Sequence, residues 1–250
     1  MNKSKLEKIT FYSNILDKEM GMLVYLPKEY NNFKSLPVLY FLHGRSGNEN
    51  IMFQIDMNIK VDKLIKDREI QPMIIVCPRI ENSRGINSSL MSKQVSHNGD
   101  GNRIINLGMY EDYFIKEIVP LIDNTFKTIK HKKGRYIGGV SAGGYIALHN
   151  AFRYQHIFSK VGAHMPALEL ELDDEDKLYY KDMSVWEKYD PIYIARNTNI
   201  SSDMRVYLDA GDKDEGGFYK GCSILHKILN KKGVNCENHI FTGNHSAKYI

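Results

Sequence analysis

Gly139-Val140-Ser141-Ala142-Gly143 follows directly on Tyr136-Ile137-Gly138-Gly139-Val140 and runs into Tyr145-Ile146-Ala147-Leu148. A glycine-flanked serine with a strand pattern before it and a helix pattern after it predicts a sharp strand-to-helix turn. The small residues let the chain pass close to itself, and the Ser141 hydroxyl projects from the apex. G-x-S-x-G by itself is common in proteins. The strand and helix around it are what make Ser141 a candidate nucleophile.

Moving outward, apolar runs recur at Ile9 to Ser13, Gly21 to Leu26, Pro37 to Leu42, Met73 to Cys77, Tyr136 to Val140, Val161 to Ala163, Arg205 to Leu208 and Asn238 to Phe241. Helical segments separate most of them, and the clearest are Tyr110 to Phe126, Ala142 to Arg153 and Phe218 to Lys232. That alternation predicts an α/β fold with a mostly parallel central sheet of about eight strands, joined by right-handed crossovers, with helices on both faces. Pro120 falls inside the first helix and either kinks it or begins a new turn. A length of 250 residues suits a single domain over 1–250.

Two segments interrupt the alternation. Residues 81–107 are rich in Asn, Ser and Gly, and residues 166–188 contain the acidic run Glu169 to Asp176. Both exceed ordinary connection lengths and are read as pocket walls or a lid, while the acidic run by itself reads as solvated surface. Tyr179, Tyr180 and Trp186 in the second segment are candidates either for an aromatic wall or for core.

A serine hydroxyl needs a base to take its proton and a carboxylate to orient that base. His149 and His226 fall in helices and His239 in the last strand, whereas His245 follows that strand in Gly243-Asn244-His245-Ser246, on a loop at the sheet's carboxyl edge. Asp209, Asp212 and Asp214 follow the strand Arg205 to Leu208, and Asp214 lies where its loop can swing back toward His245. The carboxylates do not fall at the spacing of a calcium loop. Oxyanion donors are expected from the Ala142 N–H and from the loop His43-Gly44-Arg45-Ser46-Gly47, with Arg45 first and Gly44 second. His43 is read as shaping that loop rather than as catalytic.

The charge of +4 is spread over 34 basic and 30 acidic residues without a basic stripe, which argues against nucleic acid. The first residues lack a signal-peptide pattern and no stretch is apolar enough to span a bilayer, so the expectation is a cytoplasmic protein without a membrane. Cys77, Cys222 and Cys236 have neither zinc nor disulfide spacing, and Cys77 reads as a buried strand residue. No metal or cofactor is expected. Oligomeric state is not legible.

The sequence resembles the esterase D-like branch of α/β hydrolases, the group of S-formylglutathione hydrolases, feruloyl and acetyl-xylan esterases, enterochelin esterases and mycolyltransferases. The likeness is carried by Leu36 to Gly44, Tyr110 to Asp123, Gly139 to Leu148, Phe158 to Ala163 and Asp190-Pro191. It implies the α/β-hydrolase fold and a serine esterase acting through an acyl-enzyme on a small-molecule ester. The branch's G-x-x-D turn matches Gly211 to Asp214 and supports Asp214 as the acid. Ala142 replaces the Met common after the nucleophile, and Ser246 to Ile250 lacks the usual aromatic pair. An acyltransferase using the same Ser141, His245 and Asp214 is the alternative, and a non-catalytic binding module is a third reading.

Overall fold

The computed structural model describes residues 3–97 and 103–249, so residues 98–102 of the first long segment lie outside the described residues. Ten described strands form two sheets: β1 (Lys5–Ser13), β2 (Lys18–Leu26), β3 (Val38–Leu42), β4 (Ile74–Pro78), β5 (Lys93–His97), β6 (Arg103–Leu107), β7 (Arg135–Val140), β8 (Lys160–His164), β9 (Arg205–Gly211) and β10 (Asn235–Phe241). Eight of them build one sheet in the order β1-β2-β4-β3-β7-β8-β9-β10. The pairings of β1 with β2 and β2 with β4 are antiparallel, and every later one is parallel. This is the mostly parallel sheet expected from the alternation, in the α/β-hydrolase fold that the resemblance implies.

Side chains alternate across the sheet because the strand period is two. Val38, Tyr40 and Leu42 of β3 join Val24, Ile74 and Val76 in a core shared with the helices Val119–Thr125 and Ala142–Arg153. Phe41 faces the other way, with Tyr25, Ile75 and Cys77, and packs against Met57 and Val61 of the helix Met57–Lys66. Burial on both faces is why β3, β4 and β7 read as continuous apolar runs.

The edge strands are longer than their apolar runs. β1 begins at Lys5 and β10 at Asn235, because each is a sheet edge whose outward positions carry polar or charged residues such as Lys5, Glu7, Asn235 and Glu237. The segment read as the helix Tyr110 to Phe126 is helical but not uniform: α-helix at Tyr110–Asp112, π-helix at Tyr113–Ile118, α-helix at Val119–Thr125. The π stretch ends just before Pro120, which has no N–H to continue an α ladder.

Both interrupting segments are more ordered than loops. The first ends in the antiparallel hairpin of β5 and β6, and the second carries the helices Asp176–Tyr179 and Met183–Tyr189. The acidic run is not simply solvated surface. Arg84, buried in the first segment, pairs with Glu169 at 3.0 Å and with buried Asp176, so the run is partly turned inward to tie the two segments together. Tyr179 and Tyr180 are buried there with Tyr189 and Ile86, and the Tyr179 hydroxyl donates to the Asn82 carbonyl at 2.7 Å. They are core, with Trp186 packed against them.

Candidate active site

Ser141 sits between β7 and the helix Ala142–Arg153 with φ 54° and ψ −121°, a region that non-glycine residues enter only under strain. Three hydrogen bonds fix it there. Its N–H donates to the His164 carbonyl at 2.9 Å, and its own carbonyl accepts from the N–H groups of Tyr145 at 3.1 Å and Ala167 at 3.0 Å. The flanking glycines are required sterically: a Cβ on Gly143 would lie 2.3 Å from the Leu42 carbonyl oxygen, and one on Gly139 would lie 2.6 Å from the Gly143 backbone.

The three aspartates in β9 and the turn after it have three separate tasks. Asp209 accepts from the Met165 N–H at 3.0 Å and bonds His164 Nδ1 at 2.7 Å. Asp212 accepts from the Gly243 N–H at 3.1 Å, tying its turn to the loop of His245. Asp214 reaches His245: its Oδ2 lies 2.7 Å from His245 Nδ1, and its Oδ1 accepts from the Gly216 N–H at 2.9 Å. The two loops pass so closely that a Cβ on Gly211 would meet the Gly243 carbonyl oxygen at 2.2 Å. Phe218 braces the His245 ring edge-on, with centroids 5.4 Å apart.

A cavity of about 530 Å³ is lined by Ser141, Ala142, Asp214 and His245 together with Gly44 and Arg45, so the residues favoured from the sequence for the triad and the oxyanion donors line one cavity. Ala142 opens its helix, where N–H groups lack intrahelical partners and the helix dipole favours negative charge. Gly44 lies against the serine, since a Cβ there would stand 3.3 Å from Ser141 Cβ. In the same loop the Ser46 N–H donates to Asn82 Oδ1 at 2.6 Å and the Gly47 N–H to the Gly44 carbonyl at 3.1 Å, which leaves Arg45 and Gly44 as the loop's candidate donors.

His43 is buried, and its Nε2 accepts from the Ile80 N–H at 3.1 Å, so the imidazole is neutral and shapes the loop. Burial pushes its pKa down to about 4. Cys77 is buried in β4, where desolvation raises its thiol well above the ordinary range and leaves it inert.

Sequence reasoning did not find Arg103, Met165, Ala167 or Phe218, all of which line the cavity. Arg103 and Ala167 come from the two segments read as walls, yet nothing in their local pattern marks them individually. The Asp209–His164 pair also went unread, although the two residues stand opposite each other in the parallel register of β8 and β9. Among the described residues no cluster of His, Cys, Asp and Glu is arranged to hold a metal ion.

The family model described as "Putative esterase" matches residues 13–249. The chain belongs to that esterase family. It is a serine hydrolase of the esterase D-like branch, with a mostly parallel eight-stranded sheet and helices around it. It is 26% identical over 92% of its length to an endo-1,4-beta-xylanase/feruloyl esterase of Xylanibacter ruminicola, of which it spans 30%. A solved ferulic acid esterase superposes with a TM-score of 0.83 at 22% identity, covering 100% of this chain and 94% of the other. An S-formylglutathione hydrolase from Agrobacterium tumefaciens superposes with a TM-score of 0.76 at 17% identity, covering 100% of this chain and 91% of that one. No described helix of this esterase is long and apolar enough to cross a membrane.

Proposed function

We propose that this esterase hydrolyses a small-molecule carboxylic ester through an acyl-enzyme, with Ser141 as nucleophile, His245 as general base and acid, and Asp214 as the group that orients His245. The convergence of these three side chains on one cavity carries the reading. His245 Nδ1 is held by Asp214, which leaves Nε2 for the serine proton. Attack by Ser141 Oγ on the ester carbonyl passes its proton to His245. Collapse of the tetrahedral intermediate returns that proton to the leaving alcohol, and water repeats the sequence on the acyl-enzyme.

The oxyanion is held by the N–H of Ala142 and a second N–H from the loop before it, Arg45 first and Gly44 second. Donors of this kind are worth about 3 kcal/mol each in a preorganised site. The whole of 1–250 acts as one catalytic domain, with the segments 81–107 and 166–188 serving as pocket walls through Arg103 and Ala167.

Hydrolysis of 4-nitrophenyl acetate and butyrate by the purified protein tests the reading, beside Ser141→Ala. Turnover that disappears in the variant supports it, and equal turnover by both proteins contradicts it. Adding an alcohol or sugar acceptor in the same assay separates hydrolysis from acyl transfer: free acid alone identifies water as the acceptor, whereas a transesterified product identifies an acyltransferase.

A further inference from the structure

Arg45 and Arg103 both line the cavity of Ser141, and both lean on one carboxylate. Glu175 belongs to the acidic run of the second wall segment, and its side chain is only 3% exposed. Its Oε1 lies 3.3 Å from Arg45 Nε, and its Oε2 lies 3.4 Å from both Arg45 Nη1 and Arg103 Nε. These contacts are long beside the roughly 2.7–2.9 Å of a well-formed guanidinium–carboxylate bond. Arg103 Nε has no hydrogen-bond partner among the described residues.

Two guanidinium groups thus share one carboxylate that only loosely satisfies them. Glu175 fixes both forks beside the nucleophile without neutralising both. Glu175 lies behind the arginines rather than in the cavity lining, whose acidic residues are Asp214, engaged with His245, and Glu215 of the same loop. The lining also includes apolar Ile51, Val140, Met165 and Phe218. A guanidinium presents a planar fork that matches a carboxylate in two parallel bonds, so an anionic ligand group would pair here not with the buried Arg103 Nε but with the Nη donors that Glu175 leaves open.

We infer that Arg45 and Arg103 form a subsite for a carboxylate carried by the ester substrate, so that the preferred substrate is a half-ester or an ester of a carboxylated alcohol or phenol. The inference rests on the esterase reading above. Glu175 holds the pair in place when no substrate is bound and competes with the incoming carboxylate for it.

Two matched ester pairs test this. 4-Nitrophenyl hemiglutarate against 4-nitrophenyl hexanoate places the charge on the acyl side, and 4-acetoxybenzoate against methyl 4-acetoxybenzoate places it on the leaving group. The result expected is a higher kcat/KM for the charged member of at least one pair, and a charged-to-neutral ratio that falls about tenfold in Arg103→Gln, the size of one charge-assisted bond. Arg103→Lys, which keeps the charge but not the fork, should fall between, and Glu175→Gln should raise the ratio. Thermal melts of each variant confirm that it is folded. If Arg103→Gln lowers both members of a pair in parallel, the arginines only support the wall and the subsite is refuted. If neither member of either pair turns over in the wild type, the esterase reading falls, and the subsite with it.

Discussion

His245 Nδ1 lies 2.7 Å from Asp214 Oδ2, and the Asp214 side chain is only 1% exposed. A carboxylate so shielded from water keeps most of its hold on the imidazole, fixing both the ring's orientation and the tautomer that leaves Nε2 free. Asp214→Asn should therefore leave the fold intact while lowering kcat about 10³- to 10⁴-fold, since the amide presents a donor or acceptor without charge. Steady-state kinetics on a 4-nitrophenyl ester, with a melting curve, checks this. A loss under tenfold would assign the acid elsewhere.

Asp209 supplies the contrast. It holds the Met165 N–H and His164, whose carbonyl in turn receives the Ser141 N–H, so it supports the elbow rather than the base. Asp209→Ala removes the carboxylate bonded to His164, while the Met165 N–H keeps the Asp209 carbonyl at 2.9 Å, and should cost about 1 kcal/mol of stability in urea unfolding. Its effect on kcat should be far smaller than that of Asp214→Asn.

The glycines of the elbow make a steric prediction. Gly143→Ala drives a methyl group onto the Leu42 and His43 carbonyl oxygens, at 2.3 and 2.5 Å, and neither backbone can retreat without shifting β3 or the oxyanion loop. Activity and melting temperature should both fall. Gly162→Ala, where a Cβ meets nothing within 4 Å, should change stability by less than about 1 kcal/mol and leave turnover intact.

Buried histidines set the response to acid. His149 is fully buried between Tyr145 and Tyr189, and desolvation lowers its pKa to about 3. The unfolded chain therefore binds a proton near pH 6.5 that the folded chain refuses, so this contribution to stability is complete above that pH and is lost as pH falls toward 3. At pH 5 the loss from this group is about 2 kcal/mol. His43 acts in the same direction down to about pH 4. Asp190, whose carboxyl burial raises to about 6, acts oppositely: folding favours its protonated form, so stability rises as pH falls from 6 toward 4. His149→Phe isolates one contribution. Its urea stability should drop less between pH 7 and pH 5 than that of the wild type, by roughly 2 kcal/mol.

Arg84 ties the two wall segments together through Glu169 and Asp176. Arg84→Gln strands two carboxylates, one of them fully buried, and should cost about 3–5 kcal/mol in chemical denaturation. If the loss is under 1 kcal/mol, the tie contributes little to the fold.

The parts legible in the sequence were those in which local pattern and fold agree. Ser141 was visible because its glycines and flanking elements follow from backbone geometry, and β3, β4 and β7 because burial on both faces makes them uniformly apolar. The choice among Asp209, Asp212 and Asp214 was harder, since all three are short acids close together in sequence, and only the point where β9 gives way to its turn separates their partners. β5 was missed because Lys93-Gln94-Val95-Ser96-His97 carries no apolar alternation. Glu175 was indistinguishable from its acidic neighbours: what sets it apart is contact with Arg45 and Arg103, 130 and 72 positions earlier in the chain, which no local pattern encodes.

The most direct test of the account is labelling by a fluorophosphonate probe, followed by mass mapping of the modified residue, in wild type and in Ser141→Ala. The account predicts a single adduct on Ser141, formed rapidly in wild type, slowed in His245→Ala and absent from Ser141→Ala. A folded wild type that takes up no probe, or a Ser141→Ala variant that still labels and still hydrolyses 4-nitrophenyl acetate, would contradict it.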